Sequence, residues 1–234
     1  MMNDPQIWLG QLTLWDALAL GYLALVLWAT GLSVTRHPRG WLSTGEMVSA
    51  YRLLWMRRAA RREVRVTDIT LLALLRTGAT FLASMTMFAI GGAVALLGQI
   101  DLLESLAQNV VGGFNAPRAT QQVKLLCLIA LLVYALLKFI WSVRVFGYCA
   151  VLMSAVPNDP TDPQARPRTA QAAELNIRAA MNFNRGLRAM YFALGALAWL
   201  LGAVPLVVAT TVVIWVVWSR EFASIPRDIL LKDD

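Results

Sequence analysis

Ionisable side chains inside apolar stretches are the residues of this sequence best placed to do chemistry. A charge in lipid is expensive, so it normally faces a bundle interior, a watery cavity or a headgroup layer. Lys138 lies about 20 Å along an apolar run that starts at Leu125, at 1.5 Å per helical residue, and Arg144 follows roughly 9 Å further on. Tyr134, Lys138, Trp141, Val145 and Tyr148 recur at steps of three and four, which puts them on one helix face, with Ser142 and Arg144 to either side. A confined basic face of this kind raises the local concentration of anions. Arg76, about two turns into another apolar run, is a second intramembrane cation. Snorkelling to the headgroups competes as an account of Arg76 and Arg144, and competes less well for the deeper Lys138. Asp16 reads as a cap or an interfacial residue, and no acid is obviously placed to neutralise Lys138.

Signatures of catalysis are nearly absent. His37 is the only histidine, so neither an HExxH zinc site nor a histidine-based triad can be assembled. The sequence has no GxSxG elbow, no GxxxxGK[ST] phosphate loop and no GxGxxG fingerprint. Cys127 and Cys149 are far from CxxC spacing and read as small buried hydrophobes. No enzymatic activity, metal or cofactor is expected.

The elements that must position these cations are membrane helices. Hydrophobic residues make up 58% of the 234 and charged residues 15%, with a mean hydropathy of +0.58; a soluble domain usually carries about 25% charged residues. A net charge of +7 would suit nucleic acid, but most of the arginines sit in two stretches between apolar runs, as cytoplasmic loops carry them. Nucleic acid is therefore not an expected partner. Four continuous runs reach the roughly 20 residues needed to cross a bilayer: Leu12 to Val34, Ile69 to Leu97, Leu125 to about Val151, and Ala189 to Trp218. The expected fold is all-α: a polytopic membrane helix bundle, a single domain over residues 1–234, with four transmembrane helices and cytoplasmic amphipathic helices. Residues 35–68 hold eight Arg against Glu46, Glu63 and Asp68, and residues 157–188 hold five Arg against Asp159, Asp162 and Glu174. The other connections carry far fewer Lys and Arg, so both termini are expected away from the cytoplasm. Segment 1–11, acidic at Asp4 and without a basic residue, does not read as a cleaved presequence.

Both basic stretches have local structure of their own. Ser43-Thr-Gly-Glu46 fits a capping box, and the helix it starts carries Tyr51, Leu54, Trp55, Arg58, Arg61, Arg62 and Arg65 at helical spacings. Trp55 and these four arginines are expected to form an interfacial surface, aromatics toward lipid and guanidiniums toward headgroups. In the second stretch Pro157, Pro160, Pro163 and Pro167 favour an extended linker, Thr169 is expected to cap the next helix, and Gly186 to bend it. Gly91 and Gly98, Gly195 and Gly202, and Ala79 and Ala83 read as packing positions for close helix approach, with Pro205 bending the last span.

Several of these segments together resemble the family known as domain of unknown function 599, uncharacterised membrane proteins of bacteria and plants. They are Arg76-Thr-Gly-Ala-Thr80-Phe-Leu-Ala-Ser84, Lys138-Phe-Ile-Trp-Ser-Val-Arg144-Val-Phe-Gly-Tyr148 with Ala155-Val-Pro157, Asn182-Phe-Asn-Arg-Gly-Leu-Arg188-Ala-Met-Tyr-Phe192, and Trp218-Ser-Arg-Glu-Phe222. The resemblance implies an integral membrane protein and carries over no activity. It places Arg76, Lys138, Arg144, Asn184, Arg185 and Arg188 within family motifs; where the family is expected to have Asn before the aromatic of the third-span motif, this chain has Gly147. Arg76, Lys138, Arg144, Arg185 and Arg188 are accordingly the candidates for a cytoplasm-facing cavity or headgroup site. The expected role is an oligomeric channel, carrier or lipid-binding protein of a bacterial inner membrane, with anionic lipids and copies of itself as partners. The alternative is a non-catalytic accessory subunit docked on a larger membrane complex.

Overall fold

The computed structural model describes residues 13–33, 43–101, 105, 117–159 and 161–232, and all regular structure among them is helical. In chain order the helices are α1 (Leu14–Ser33), α2 (Thr44–Ala59), α3 (Val66–Gly98), α4 (Arg118–Ser154), α5 (Ala165–Leu197), α6 (Ala203–Phe222) and α7 (Ile225–Leu230), with a tight 3-10 turn, Ala198–Leu201, between α5 and α6. Four stretches are long and apolar enough to cross a membrane: Leu14–Gly31, Val66–Gly98, Arg118–Ser154 and Ala203–Leu230. The all-α membrane fold expected from the sequence is the one found. Segment 1–11, Leu12, Val34, His37 and much of the connection after α3 lie outside the described residues.

The spanning helices are dressed for lipid. Trp15, Phe88 and Trp215 are 72%, 77% and 68% exposed and have many exposed apolar neighbours along their helices. Water would penalise so much contiguous apolar surface; hydrocarbon does not.

The described residues form two compact units. One comprises the described parts of Met1–Arg36, Thr86–Ala135 and Arg188–Trp218. Its core joins Leu23 and Val26 of α1 to Leu125 and Leu128 of α4, Phe192 of α5, Trp199 and Leu206. The other comprises the described parts of His37–Met85, Leu136–Leu187 and Ser219–Asp234. There Met56 and Ala59 of α2 pack with Leu72 of α3, Phe146, Cys149 and Met153 of α4, and Ala172, Ala173 and Ala179 of α5.

Several local expectations are corrected. The run from Ala189 to Trp218 is not one helix: its first part ends α5, and the chain breaks at Gly202, whose φ of 130° is open to glycine. Pro205 lies in the first turn of α6, where its missing N–H costs nothing, so it marks a start rather than a bend. For the same reason Pro167 is accommodated in the first turn of α5. That helix therefore begins four residues before Thr169, and the Thr169 hydroxyl donates to the Ala165 carbonyl at 2.7 Å instead of capping. Gly186 sits inside continuous α5. Gly91 and Gly98 are exposed, and a side chain at either would meet none of the described residues. Gly195 does pack: a methyl there would lie 3.2 Å from Val213.

Candidate functional site

The arginine-rich helix α2 is built as the sequence suggests. Ser43 Oγ accepts the Glu46 amide at 3.2 Å and Glu46 Oε2 accepts the Ser43 amide at 3.0 Å, closing the capping box. Met47, Met56 and Ala59 turn inward. Ala50, Tyr51, Leu54, Arg57 and Arg58 are exposed on the face of the helix opposite Met56 and Ala59, and Arg61 is exposed just beyond the helix end. Among the described residues no carboxylate pairs with Arg57, Arg58 or Arg61.

The rest of the expected interfacial surface is otherwise engaged. Asp68, in the first turn of α3, is buried; its Oδ1 accepts from Trp55 Nε1 at 2.7 Å and from Arg62 Nη1 at 2.6 Å. Arg65 is buried as well and donates to four carbonyls: Val156 at 2.6 Å, Ala60 and Pro157 at 3.0 Å each, and Met153 at 3.3 Å. Carbonyls at and beyond the end of a helix need donors from outside it, and Arg65 supplies them where α4 ends. It is a clamp between α2, α3 and α4, not a headgroup ligand. Arg57, absent from the expected set, takes its place on the outer face.

The basic residues of the spanning helices fall into different settings. Arg144 is exposed on α4, donates to the Tyr148 hydroxyl at 3.1 Å and lies 6.0 Å from the Trp141 ring centre, within cation–π range. Arg76 is exposed on α3, whereas Lys138, Arg185 and Arg188 are half-buried, Arg188 belonging to the first unit. Tyr134, Trp141 and Tyr148 face outward while Val145 is 4% exposed. The supposed single polar face of α4 therefore straddles the edge between surface and core.

Two polar clusters were not anticipated. In the first unit Asp16 Oδ1 meets Lys124 Nζ at 3.2 Å and Trp199 Nε1 at 2.7 Å, and Asp16 Oδ2 accepts from the Thr13 hydroxyl at 2.8 Å. Asp16 and Lys124 are both buried. In the second unit Arg52 Nη1 donates to Asn176 Oδ1 at 2.6 Å, beside Cys149, whose thiol donates to the Ala172 carbonyl. Arg52 lies four residues before buried Met56, so its place on the inner face of α2 was available from spacing alone. Among the described residues no three His, Cys, Asp or Glu side chains gather closely enough to hold a metal.

The C-terminal segment packs on the start of α2. The Thr44 hydroxyl donates to the Glu221 carbonyl at 3.0 Å and lies 3.5 Å from the Ser224 hydroxyl. Counting basic residues had placed these segments on opposite sides of a membrane; the contact puts them together.

The family model described as "Protein of unknown function, DUF599" matches residues 17–226. No curated protein and no solved structure matches the chain.

Proposed function

We propose, for a chain that belongs to the DUF599 family of proteins of unknown function, that this multi-pass membrane protein sits in the bacterial inner membrane and holds anionic phospholipid headgroups on its arginine-rich face. The observation that carries this is the outer face and C-terminal end of α2, where Arg57, Arg58 and Arg61 follow Tyr51 and Leu54 and are exposed without a carboxylate partner among the described residues. Apolar and aromatic residues followed by unpaired guanidiniums match a leaflet boundary, in which acyl chains give way to phosphates. Arg144 supports the same assignment. It is exposed on a spanning helix and is set between Tyr148 and Trp141, a pose suited to a headgroup ligand.

The orientation follows from the distribution of arginine. With the arginine-rich stretch on the cytoplasmic side, residues 44–65, the start of α5 and the C-terminal segment are all cytoplasmic. Helix α1 then starts on the far side. Four crossings would return the chain to the side it started from, so a cytoplasmic C-terminal segment calls for a fifth. Helix α5 is the candidate, since its 33 residues reach about 50 Å, more than the roughly 30 Å of a hydrocarbon core.

Native mass spectrometry of the protein released in a mild detergent tests the lipid assignment. Phosphatidylglycerol or cardiolipin should stay bound in preference to phosphatidylethanolamine. The triple variant Arg57→Ala, Arg58→Ala, Arg61→Ala should lose about 100-fold in that preference, at about 1 kcal/mol per basic residue near an anionic surface. Equal retention by the variant would sink the proposal, and a stoichiometric foreign protein in the particle would replace it with docking on a larger complex.

A further inference from the structure

Arg52 stands apart from the other arginines of α2 because it points into the fold and, among the described residues, meets no carboxylate. Its hydrogen bond goes to a neutral group, Asn176 Oδ1, at 2.6 Å. A guanidinium carries five N–H donors, so most of its capacity is uncommitted. The same amide contributes a second observation: Asn176 is 0% exposed, and its Nδ2 has no acceptor among the described residues. The buried Cys149 thiol lies close to both Arg52 and Asn176 and donates to the Ala172 carbonyl at 3.3 Å. A half-buried cation and a buried amide N–H thus lie side by side, with the sulfur of Cys149 as their neighbour and no carboxylate among the described residues. Burial pushes the Arg52 guanidinium below its usual range, the direction expected when desolvation is not offset by a counter-charge.

Native proteins pair the charges they bury, because an uncompensated one is costly. The planar fork of an arginine beside an amide donor matches the oxygens of a phosphate group, which can accept two parallel N–H bonds and a third from the side. We infer that Arg52 and Asn176 form an oxyanion site within the second unit, between α2, α4 and α5, taking a phosphate group either from a lipid headgroup or from free phosphate. Its residues are distinct from the exposed arginines of the outer face, so it stands or falls independently of headgroup binding there.

The informative substitution is Asn176→Asp, which places a carboxylate where the amide now meets Arg52 and supplies the missing counter-charge from within. Thermal unfolding of the full chain in nanodiscs of neutral phosphatidylcholine is followed with and without inorganic phosphate, against matched chloride. The wild type should unfold at a higher temperature in phosphate. Asn176→Asp should start from a higher temperature in chloride and show no phosphate response. The conservative variant Arg52→Lys, which keeps the charge and loses the fork, should weaken the phosphate response at least tenfold in apparent affinity. In parallel, native mass spectrometry from phosphatidylglycerol nanodiscs follows headgroup retention. Phosphatidylglycerol retained by the wild type and lost by Asn176→Asp, without any response to inorganic phosphate, would assign the phosphate to lipid and support the site. A wild type that responds to neither, or an Asn176→Asp variant that responds as the wild type does, would overturn it.

Discussion

At the scale of single residues, the pair Asp16 and Lys124 shows what a charge inside a membrane helix requires. Lys124 is 3% exposed and Asp16 6%, and the carboxylate is further held by the Trp199 indole and the Thr13 hydroxyl. Removing one partner leaves the other charged and buried, which costs about 3–5 kcal/mol, whereas removing both costs much less. Asp16→Asn should therefore destabilise the protein by about that amount, and adding Lys124→Met should restore most of it, as read from unfolding by graded denaturing detergent in mixed micelles. A single variant as stable as the wild type would show that the pair contributes nothing. The same residues show where reading the sequence stops. Asp16 was visible as a cap or an interfacial residue near the start of α1, and it lies in the first turn, its amide held by Thr13. Lys124 and Trp199 reach it from other helices, and no local spacing announces a contact made only when α1, α4 and the turn after α5 are packed. Arg65 was misplaced because α2 ends at Ala59, so no helix carries the spacing from Arg58 to Arg61, Arg62 and Arg65, and the end of α4 takes the Arg65 donors instead.

At the scale of elements, periodicity located the helices, and the junctions were harder. Four apolar runs and the capping box at Ser43 were legible because length and hydropathy decide a membrane helix and two side chains decide that cap. The division of 165–222 was not, because α5 begins polar and ends apolar and no composition boundary coincides with Gly202. Gly186 carries the clearest consequence. A methyl there would lie 2.8 to 3.1 Å from three atoms of the Phe139 ring, and that ring is fully buried and meets Phe183 edge-on at 5.8 Å between centres. Neither side has room to give, so α4 and α5 would have to separate. Gly186→Ala is expected to cost about 1–3 kcal/mol by overpacking, despite the better helix propensity of alanine. Adding Phe139→Leu should recover part of the loss. Unchanged stability of Gly186→Ala in detergent would mean that the two helices are not closely packed there.

For the whole molecule, the decisive quantity is the number of crossings, because it fixes which surfaces share a compartment. Four apolar helices by themselves return both termini to one side, and the count of Lys and Arg was the basis for expecting that side to be away from the cytoplasm. The bond from Thr44 to the Glu221 carbonyl breaks the parity, since a 3.0 Å contact cannot bridge a bilayer about 30 Å thick in its hydrocarbon core. Because α1 separates the arginine-rich stretch from the start of the chain, a C-terminal segment beside Thr44 calls for an odd number of crossings, and the pull of the arginines favours the cytoplasm for both. The proposed fifth crossing by α5 satisfies both constraints: its polar start lies with the arginines, and its apolar end buries Phe192, Ala193 and Ala196 in the first unit. A fluorescent protein fused after Asp234 should then be bright in the cytoplasm, and alkaline phosphatase at the same point inactive. A cysteine introduced at Ile229, exposed on α7, should react with a membrane-impermeant maleimide only after the cells are opened. Labelling in intact cells, together with an active phosphatase fusion, would place the C-terminal segment outside. Because α2 is bonded to that segment, Arg57, Arg58 and Arg61 would then face the outer leaflet, and the anionic headgroups to test would be those of that side.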